Sequence, residues 1–315
     1  MGLHVAQIGV GRVGRPTVHN IMCTGRINKL TVCDTKSGLA KAFSEELNHV
    51  VASLELDLEI IWCEKDEDVE GADIILISAG EPRVSGVQLS RRDLVNKNTR
   101  IIKEIAEKTA PNNLQAKYLV ITNPVDVMAM LFKRFSGADF VLGTGTNLET
   151  LRFRSKLARV LGLHPAKISG WVGGEHGDAA VFLWSTVKVD NTPLDDYVKE
   201  SNFNKTEVET YVKEVSRMII DNIGGTEYGP AASFRDLVMA IVEDQKKIFP
   251  ISTPLRWIKI PEPVFVSVPL VLGKSIGPSL FERLTKIEKK ELENAAKCIY
   301  DNYRTALAFI AGMEQ

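Results

Sequence analysis

Six consecutive residues near the N-terminus, Gly9-Val10-Gly11-Arg12-Val13-Gly14, carry the spacing G-x-G-x-x-G. In such a turn the first glycine lets the chain reverse tightly and the second lets a pyrophosphate approach the backbone, while the third lets a helix pack on the preceding strand. A helix that starts there points unpaired N–H groups and the positive end of its dipole at the phosphates. The match has weight because an apolar run, Leu3–Val10, leads into it and a helical pattern leaves it. Asp34 ends the next apolar run, where a carboxylate accepts from both hydroxyls of a ribose. The same carboxylate repels a 2′-phosphate, so the spacing favours NAD over NADP, a preference that Thr35-Lys36 would soften.

These residues need a frame. Short apolar runs at Leu3–Val10, Leu30–Cys33, Leu58–Trp62, Ile74–Ser78, Tyr118–Thr122 and Phe140–Leu142 alternate with amphipathic stretches such as Leu94–Lys108. In that stretch Leu94, Ile101, Ile102 and Ile105 recur at helical spacing. Strand–helix alternation with nearly continuous apolar strands predicts a parallel sheet covered on both faces. After Gly143 the texture changes. A helix over Asn147–Leu161, a strand ending in Trp171-Val172-Gly173-Gly174 and a strand over Val181–Val189 are expected. Helices near Thr206–Asn222 and Pro230–Glu243 follow, then strands around Val264–Leu272 and a closing helix from Lys286. The expected fold class is α/β: a Rossmann doubly wound parallel sheet with a C-terminal α+β substrate domain. Residues 1–143 form the dinucleotide-binding domain and residues 144–315 the catalytic one, folded against each other without a flexible linker.

Composition narrows the function. A chain of 315 residues with 44% hydrophobic and 25% charged residues is ordinary for a globular protein. A formal net charge of -1 gives no global field to hold nucleic acid or an anionic membrane. The basic pairs Arg91-Arg92, Lys246-Lys247 and Lys289-Lys290 are read as solvated faces. Cys23, Cys33, Cys63 and Cys298 lack metal-ligand spacing and are expected to be small buried thiols in a reducing compartment. No metal is expected. No apolar run reaches membrane-spanning length, and the N-terminus enters a strand without a charged leader, so a cytosolic protein is expected.

Four further segments remain. Glu175-His176-Gly177-Asp178 follows an apolar strand, and Asn147-Leu148-Glu149-Thr150-Leu151-Arg152 opens a helix. Ala79-Gly80 leads into a loop with Arg83, Arg91 and Arg92, and Asn123-Pro124-Val125-Asp126 follows the fifth strand. Over nearly the whole chain these resemble the lactate/malate dehydrogenase family, most specifically in GTGTNLETLRFR and GEHGD. The resemblance implies hydride transfer between NAD and a small 2-hydroxy or 2-oxo acid, in a homo-oligomer with tetramer favoured over dimer. It makes His176 the acid/base, a role that suits a group titrating near neutral pH, and leaves His4, His19, His49 and His164 structural. Glu149 is the partner that orients the imidazole. Arg152 binds the substrate carboxylate in a two-pronged pair, and lies one turn beyond Glu149 so that both face one pocket. Arg91, placed by the pattern R-x-[D/N]-L, resembles the arginine that polarises the carbonyl and closes over the substrate. Asn123 contacts the nicotinamide ribose or the substrate, and Asn98 is assigned to the cofactor side with Gly9, Gly11, Gly14 and Asp34.

The chain departs from the family pattern twice. Glu149 stands where the family has aspartate, one methylene shorter, and the Arg83–Arg91 loop is slightly longer than usual. With the extra residues between Gly86 and Ser90, Arg83 reads the far end of the substrate, as in the malate branch of the family. If the extra residues, about two, lie earlier, Ser85 stands there instead. A second carboxylate buried without a cation costs several kcal/mol, so Arg83 implies malate/oxaloacetate, with lactate or another 2-hydroxy acid as the alternative. Two other classes fit the residues less well. The NAD-dependent glycosidases share the superfamily fold but use a metal held by cysteine and histidine, which the scattered cysteines do not offer. A non-enzymatic NAD sensor would not need His176, Arg152 and Arg91 together.

Overall fold

The computed structural model describes residues 2–81, 91–198 and 203–313, the side chains of residues 91–94 and 313 excepted. The first half alternates as its apolar runs demand: β1 (His4–Ile8), α1 (Gly14–Met22), β2 (Lys29–Cys33), α2 (Leu39–Leu54), β3 (Glu59–Cys63), β4 (Ile74–Ile77), α3 (Arg91–Thr109), β5 (Lys117–Val120), α4 (Val125–Ser136) and β6 (Val141–Gly143). The six strands are all parallel and lie in the order β3-β2-β1-β4-β5-β6. That order reverses between β1 and β4, opening a crevice at the carboxyl ends of these two strands.

Side-chain alternation within the strands builds two cores. Ala6, Ile8, Ile75, Ile77, Tyr118 and Val120 face one way, under α3 and α4. Val5, Leu30, Val32, Ile74, Leu76 and Leu119 face the other, under α1 and α2. Apolar residues on both faces of each strand are what a doubly covered sheet requires.

The second half contains α5 (Asn147–Leu161), β7 (Ile168–Gly174), β8 (Ala180–Val189), β9 (Thr192–Pro193), α6 (Leu194–Tyr197), α7 (Lys205–Ile223), α8 (Tyr228–Val242), β10 (Lys247–Leu255), β11 (Val264–Leu272), β12 (Ile276–Ser279) and α9 (Lys286–Met313). It does not form a separate sheet. β10 pairs antiparallel with β6 through Ser252 and Gly143, so the strand order continues β6-β10-β11-β7-β8-β9, with β12 on β11. The helices are shared as well: α9 completes the face covered by α3 and α4, and α8 the face covered by α1 and α2. β10 is a strand that the sequence pattern hides. Pro250 and Pro254 read as breakers, yet the strand runs its whole length along β11 and meets β6 at a single residue, so few ladder bonds are forfeited.

The cysteine expectation needs correcting. Cys33 and Cys63 are buried register partners on β2 and β3, but Cys23, just beyond the end of α1, and Cys298, on the outer face of α9, are exposed. His4 is structural as expected: its ring nitrogens lie 3.0 Å from Gly71 O and 2.8 Å from Thr31 Oγ1. Burial lowers its pKa, consistent with a neutral ring. No helix among the described residues is long and apolar enough to cross a membrane.

Candidate active site and cofactor crevice

The glycine turn lies at the mouth of the crevice. Gly9 has φ +88°, a left-handed conformation that disfavours a side chain, and an added Cβ would strike the backbone of Ala79 at the end of β4. A Cβ on Gly14 would run into the carbonyl of Gly9, so the first turn of α1 rests directly on the turn. Gly11 differs: a Cβ there would meet nothing within 4 Å. Its backbone faces open space, and α1 has no side-chain cap on its first N–H groups. This is a cradle that a phosphate group fits. Asp34, just beyond β2, accepts from the N–H of Val10 through Oδ2 and of Lys36 through Oδ1, each at 2.9 Å. Those bonds tie the carboxylate to the glycine turn, and each oxygen keeps a lone pair for a ribose hydroxyl.

Asn98, on α3, is buried and uses its amide inside the protein. Its Oδ1 accepts from Glu81 N at 2.7 Å, and its Nδ2 donates to Asn123 O at 2.7 Å. With Thr122 Oγ1 donating to Ala79 O, also at 2.7 Å, this side chain splices the loop after β4 to the loop after β5. Asn123 itself is exposed at the crevice, preceding a cis peptide bond to Pro124.

The chemical side chains come from two elements clamped together. Thr146, which precedes α5, donates to Val172 O at 2.6 Å, and Thr150 Oγ1 accepts from Val172 N at 2.9 Å, fixing the start of α5 against β7. Glu149 is thereby buried in the first turn of α5, where the helix dipole favours a negative charge. β7 and β8 form a hairpin whose loop carries His176, and Glu175 closes that loop by accepting from Ala179 N at 3.2 Å. The result is a close pair: His176 Nδ1 lies 2.9 Å from Glu149 Oε2. Glutamate therefore reaches the imidazole despite its extra methylene. Its other oxygen lies 3.6 Å from Arg152 Nη1, so one carboxylate faces both the ring and the guanidinium. Arg152 is 14% exposed and His176 24%, leaving a small opening to both.

The electrostatics follow from this pairing. Burial pulls the His176 pKa down, but the adjacent Glu149 carboxylate outweighs it and the net shift is upward. Burial pushes the Glu149 carboxyl up, His176 and Arg152 pull it down, and the net shift is downward. Burial lowers the Arg152 pKa, with Glu149 opposing. Because Nδ1 is committed to Glu149, Nε2 is the nitrogen left to exchange a proton with a substrate. The tertiary structure also brings in Asp126, the acid of the Asn-Pro-Val-Asp segment: its Oδ2 accepts from the backbone N–H of His176 at 2.9 Å. Nothing in its one-dimensional spacing marks it, apart from its being an acid in the otherwise apolar start of α4. Arg83 lies outside the described residues, as does the side chain of Arg91, whose backbone opens α3.

Open sheets of this strand order bind dinucleotides where the order reverses, and with a buried imidazole–carboxylate pair in the same molecule the geometry fits a dinucleotide-dependent oxidoreductase. Comparison with known proteins carries this to a family. Residues 3–140 match the family model described as lactate/malate dehydrogenase, NAD binding domain, and residues 146–310 match lactate/malate dehydrogenase, alpha/beta C-terminal domain. A malate dehydrogenase from Sulfolobus acidocaldarius is 36% identical over 96% of this chain and 96% of its own. L-lactate dehydrogenase 2 from Lactobacillus acidophilus is 30% identical over 94% of this chain and 96% of its own. The crystal structure of the minor L-lactate dehydrogenase from Enterococcus mundtii superposes with a TM-score of 0.89 at 27% identity, covering 96% of this chain and 98% of that one. The chain belongs to the lactate/malate dehydrogenase family. It is an NAD-dependent oxidoreductase whose substrate is a small 2-hydroxy or 2-oxo acid.

Proposed function

We propose that this enzyme interconverts malate and oxaloacetate, with His176 as the acid/base. The observation that carries the chemistry is the His176–Glu149 pair beside Arg152. NAD, when bound, supplies the acceptor for the hydride leaving the substrate carbon. Gly9, Gly11 and Gly14 cradle its pyrophosphate, Asp34 takes the ribose hydroxyls, and Asn98 holds the loops that present Asn123. His176 takes the hydroxyl proton at Nε2, and Glu149 stabilises the imidazolium through Nδ1. Arg152 fixes the substrate carboxylate, and a two-pronged guanidinium also sets its orientation. Arg91 neutralises charge developing on the carbonyl oxygen.

The choice of malate rests on Arg83 as reader of the far carboxylate, and the higher identity to a malate than to a lactate dehydrogenase supports it. The lactate reading draws on the Enterococcus structure and on the register that puts Ser85 at the reading position. Nicotinamide absorbance followed with oxaloacetate, pyruvate and longer 2-oxoacids decides between them. The expected result is the highest kcat/KM with oxaloacetate, and a preference for pyruvate overturns the reading. We place the enzyme in the cytosol as a homo-oligomer, tetramer over dimer. Light scattering of the purified protein tests the subunit count.

A further inference from the structure

Asp126 is a buried carboxylate that the chemistry above leaves without a task. It lies at the start of α4, is 2% exposed, and accepts one good hydrogen bond, from the N–H of His176. The hydroxyl of Ser252, on β10, is near enough to lower the carboxyl's pKa, yet neither Asp126 Oδ1 nor Ser252 Oγ has a hydrogen bond of good geometry. A half-satisfied buried carboxylate is costly, and its natural replacement would be an apolar residue like its neighbours Val125 and Val127. The bond it does make goes to the one residue whose placement governs proton exchange.

We propose that Asp126 is a positioning residue for His176: it anchors the backbone of the imidazole-bearing loop to α4 and holds a second negative charge beside the ring, on a different element from Glu149. The inference rests on His176 being the acid/base. The anchor is direct, because α4 follows the loop carrying Asn123, so one carboxylate ties the proton-exchanging loop to the cofactor crevice. The charge is equally direct. Glu149 and Asp126 both favour the imidazolium, while Arg152 opposes it. Toward Asp126 itself, burial raises the carboxyl to about 6, Ser252 and His176 lower it, and Glu175 raises it. The negative charge is therefore mostly present at neutral pH and is lost as the pH falls through about 6.

The test uses Asp126→Asn, which keeps an oxygen for the His176 N–H and removes the charge, together with Ser252→Ala and, as reference, His176→Asn. For 2-oxoacid reduction, kcat against pH falls as the imidazolium loses its proton. In Asp126→Asn this limb is expected to move to lower pH by about half a unit or more, the scale of one nearby charge, with the Kd for NADH unchanged. Ser252→Ala, which withdraws support from the carboxylate without touching the ring, moves it in the same direction by less. An Asp126→Asn enzyme with the wild-type limb and kcat within twofold overturns the proposal. If that variant does not fold, a wild-type limb in Ser252→Ala does so. An active His176→Asn enzyme would instead sink the acid/base assignment itself, so the two failures are distinguishable.

Discussion

Replacing Glu149 by glutamine tests the acid/base assignment at its most quantitative point. The side chain keeps its length and an acceptor oxygen, so the 2.9 Å contact with His176 Nδ1 can persist as a neutral hydrogen bond. What disappears is the charge. Hydrogen bonds to ionised groups are worth about 1.5–3 kcal/mol and neutral ones about 0.5–1.5, so the imidazolium loses about 1–2 kcal/mol. At 1.36 kcal/mol per unit, that lowers the His176 pKa by about one unit. The sign is fixed by the wild type, in which Glu149 holds this pKa above the usual 6.5 against burial. In reduction the protonated ring is the reactive form, so activity falls as pH rises through the pKa. The limb in Glu149→Gln is displaced downward by about one unit, so activity drops about two- to sixfold between the two limbs and approaches a tenfold drop above both. Arg152 loses its carboxylate neighbour too, but that changes KM for the 2-oxoacid rather than the pH at which kcat turns. The assay is kcat for reduction across pH at saturating NADH, with Glu149→Asp alongside. Aspartate retains the charge at a longer reach, so its limb stays near wild type while kcat falls modestly. A Glu149→Gln limb within about 0.3 unit of wild type would refute the reasoning, because such a shift is too small for a lost contact charge.

Four other outcomes are expected. His176→Asn should retain NADH binding and lose about 10²–10⁴-fold in kcat; turnover within threefold of wild type would remove His176 from the mechanism. Arg83→Gln should cut kcat/KM for oxaloacetate by about a hundredfold with little change for pyruvate, the scale of a lost charge-assisted pair. A variant that still favours oxaloacetate shows that another residue reads the far end. Asp34→Ser should raise the ratio of kcat/KM for NADP over NAD, since the carboxylate that repels a 2′-phosphate is gone; an unchanged ratio contradicts the assignment. Asn98→Ala removes both bonds that join the loops after β4 and β5, at about 1 kcal/mol each. It should lower Tm and raise the Kd for NAD together, and a lower Tm with unchanged Kd would confine Asn98 to stability.

How much of this was legible beforehand depends on the range of the forces involved. α5, with bounds Asn147–Leu161, and β11, with bounds Val264–Leu272, match the sequence pattern end for end, because side-chain period is a local property. The glycine turn, Asp34 and the residue types of the His176–Glu149 pair could also be read in one dimension, since motif spacing records which backbone positions must be bare and which side chains titrate. Partnership could not be read from spacing: the family resemblance implied the Glu149–His176 pair, and nothing implied Asp126. Glu149 and His176 are 27 residues apart and Asp126 and His176 50 apart, and their contacts exist only because Thr146 and Thr150 clamp α5 to β7 and α4 meets the loop beyond it. The same holds for β10, whose prolines argue against a strand until β11 is there to pair with it, and for Asn98, assigned to the cofactor side, whose amide bonds Glu81 N and Asn123 O between two loops. Whether a glutamate in an aspartate's place reaches its imidazole is settled by where the two backbones come to rest, and that is decided by packing summed over the whole sheet rather than by any local preference.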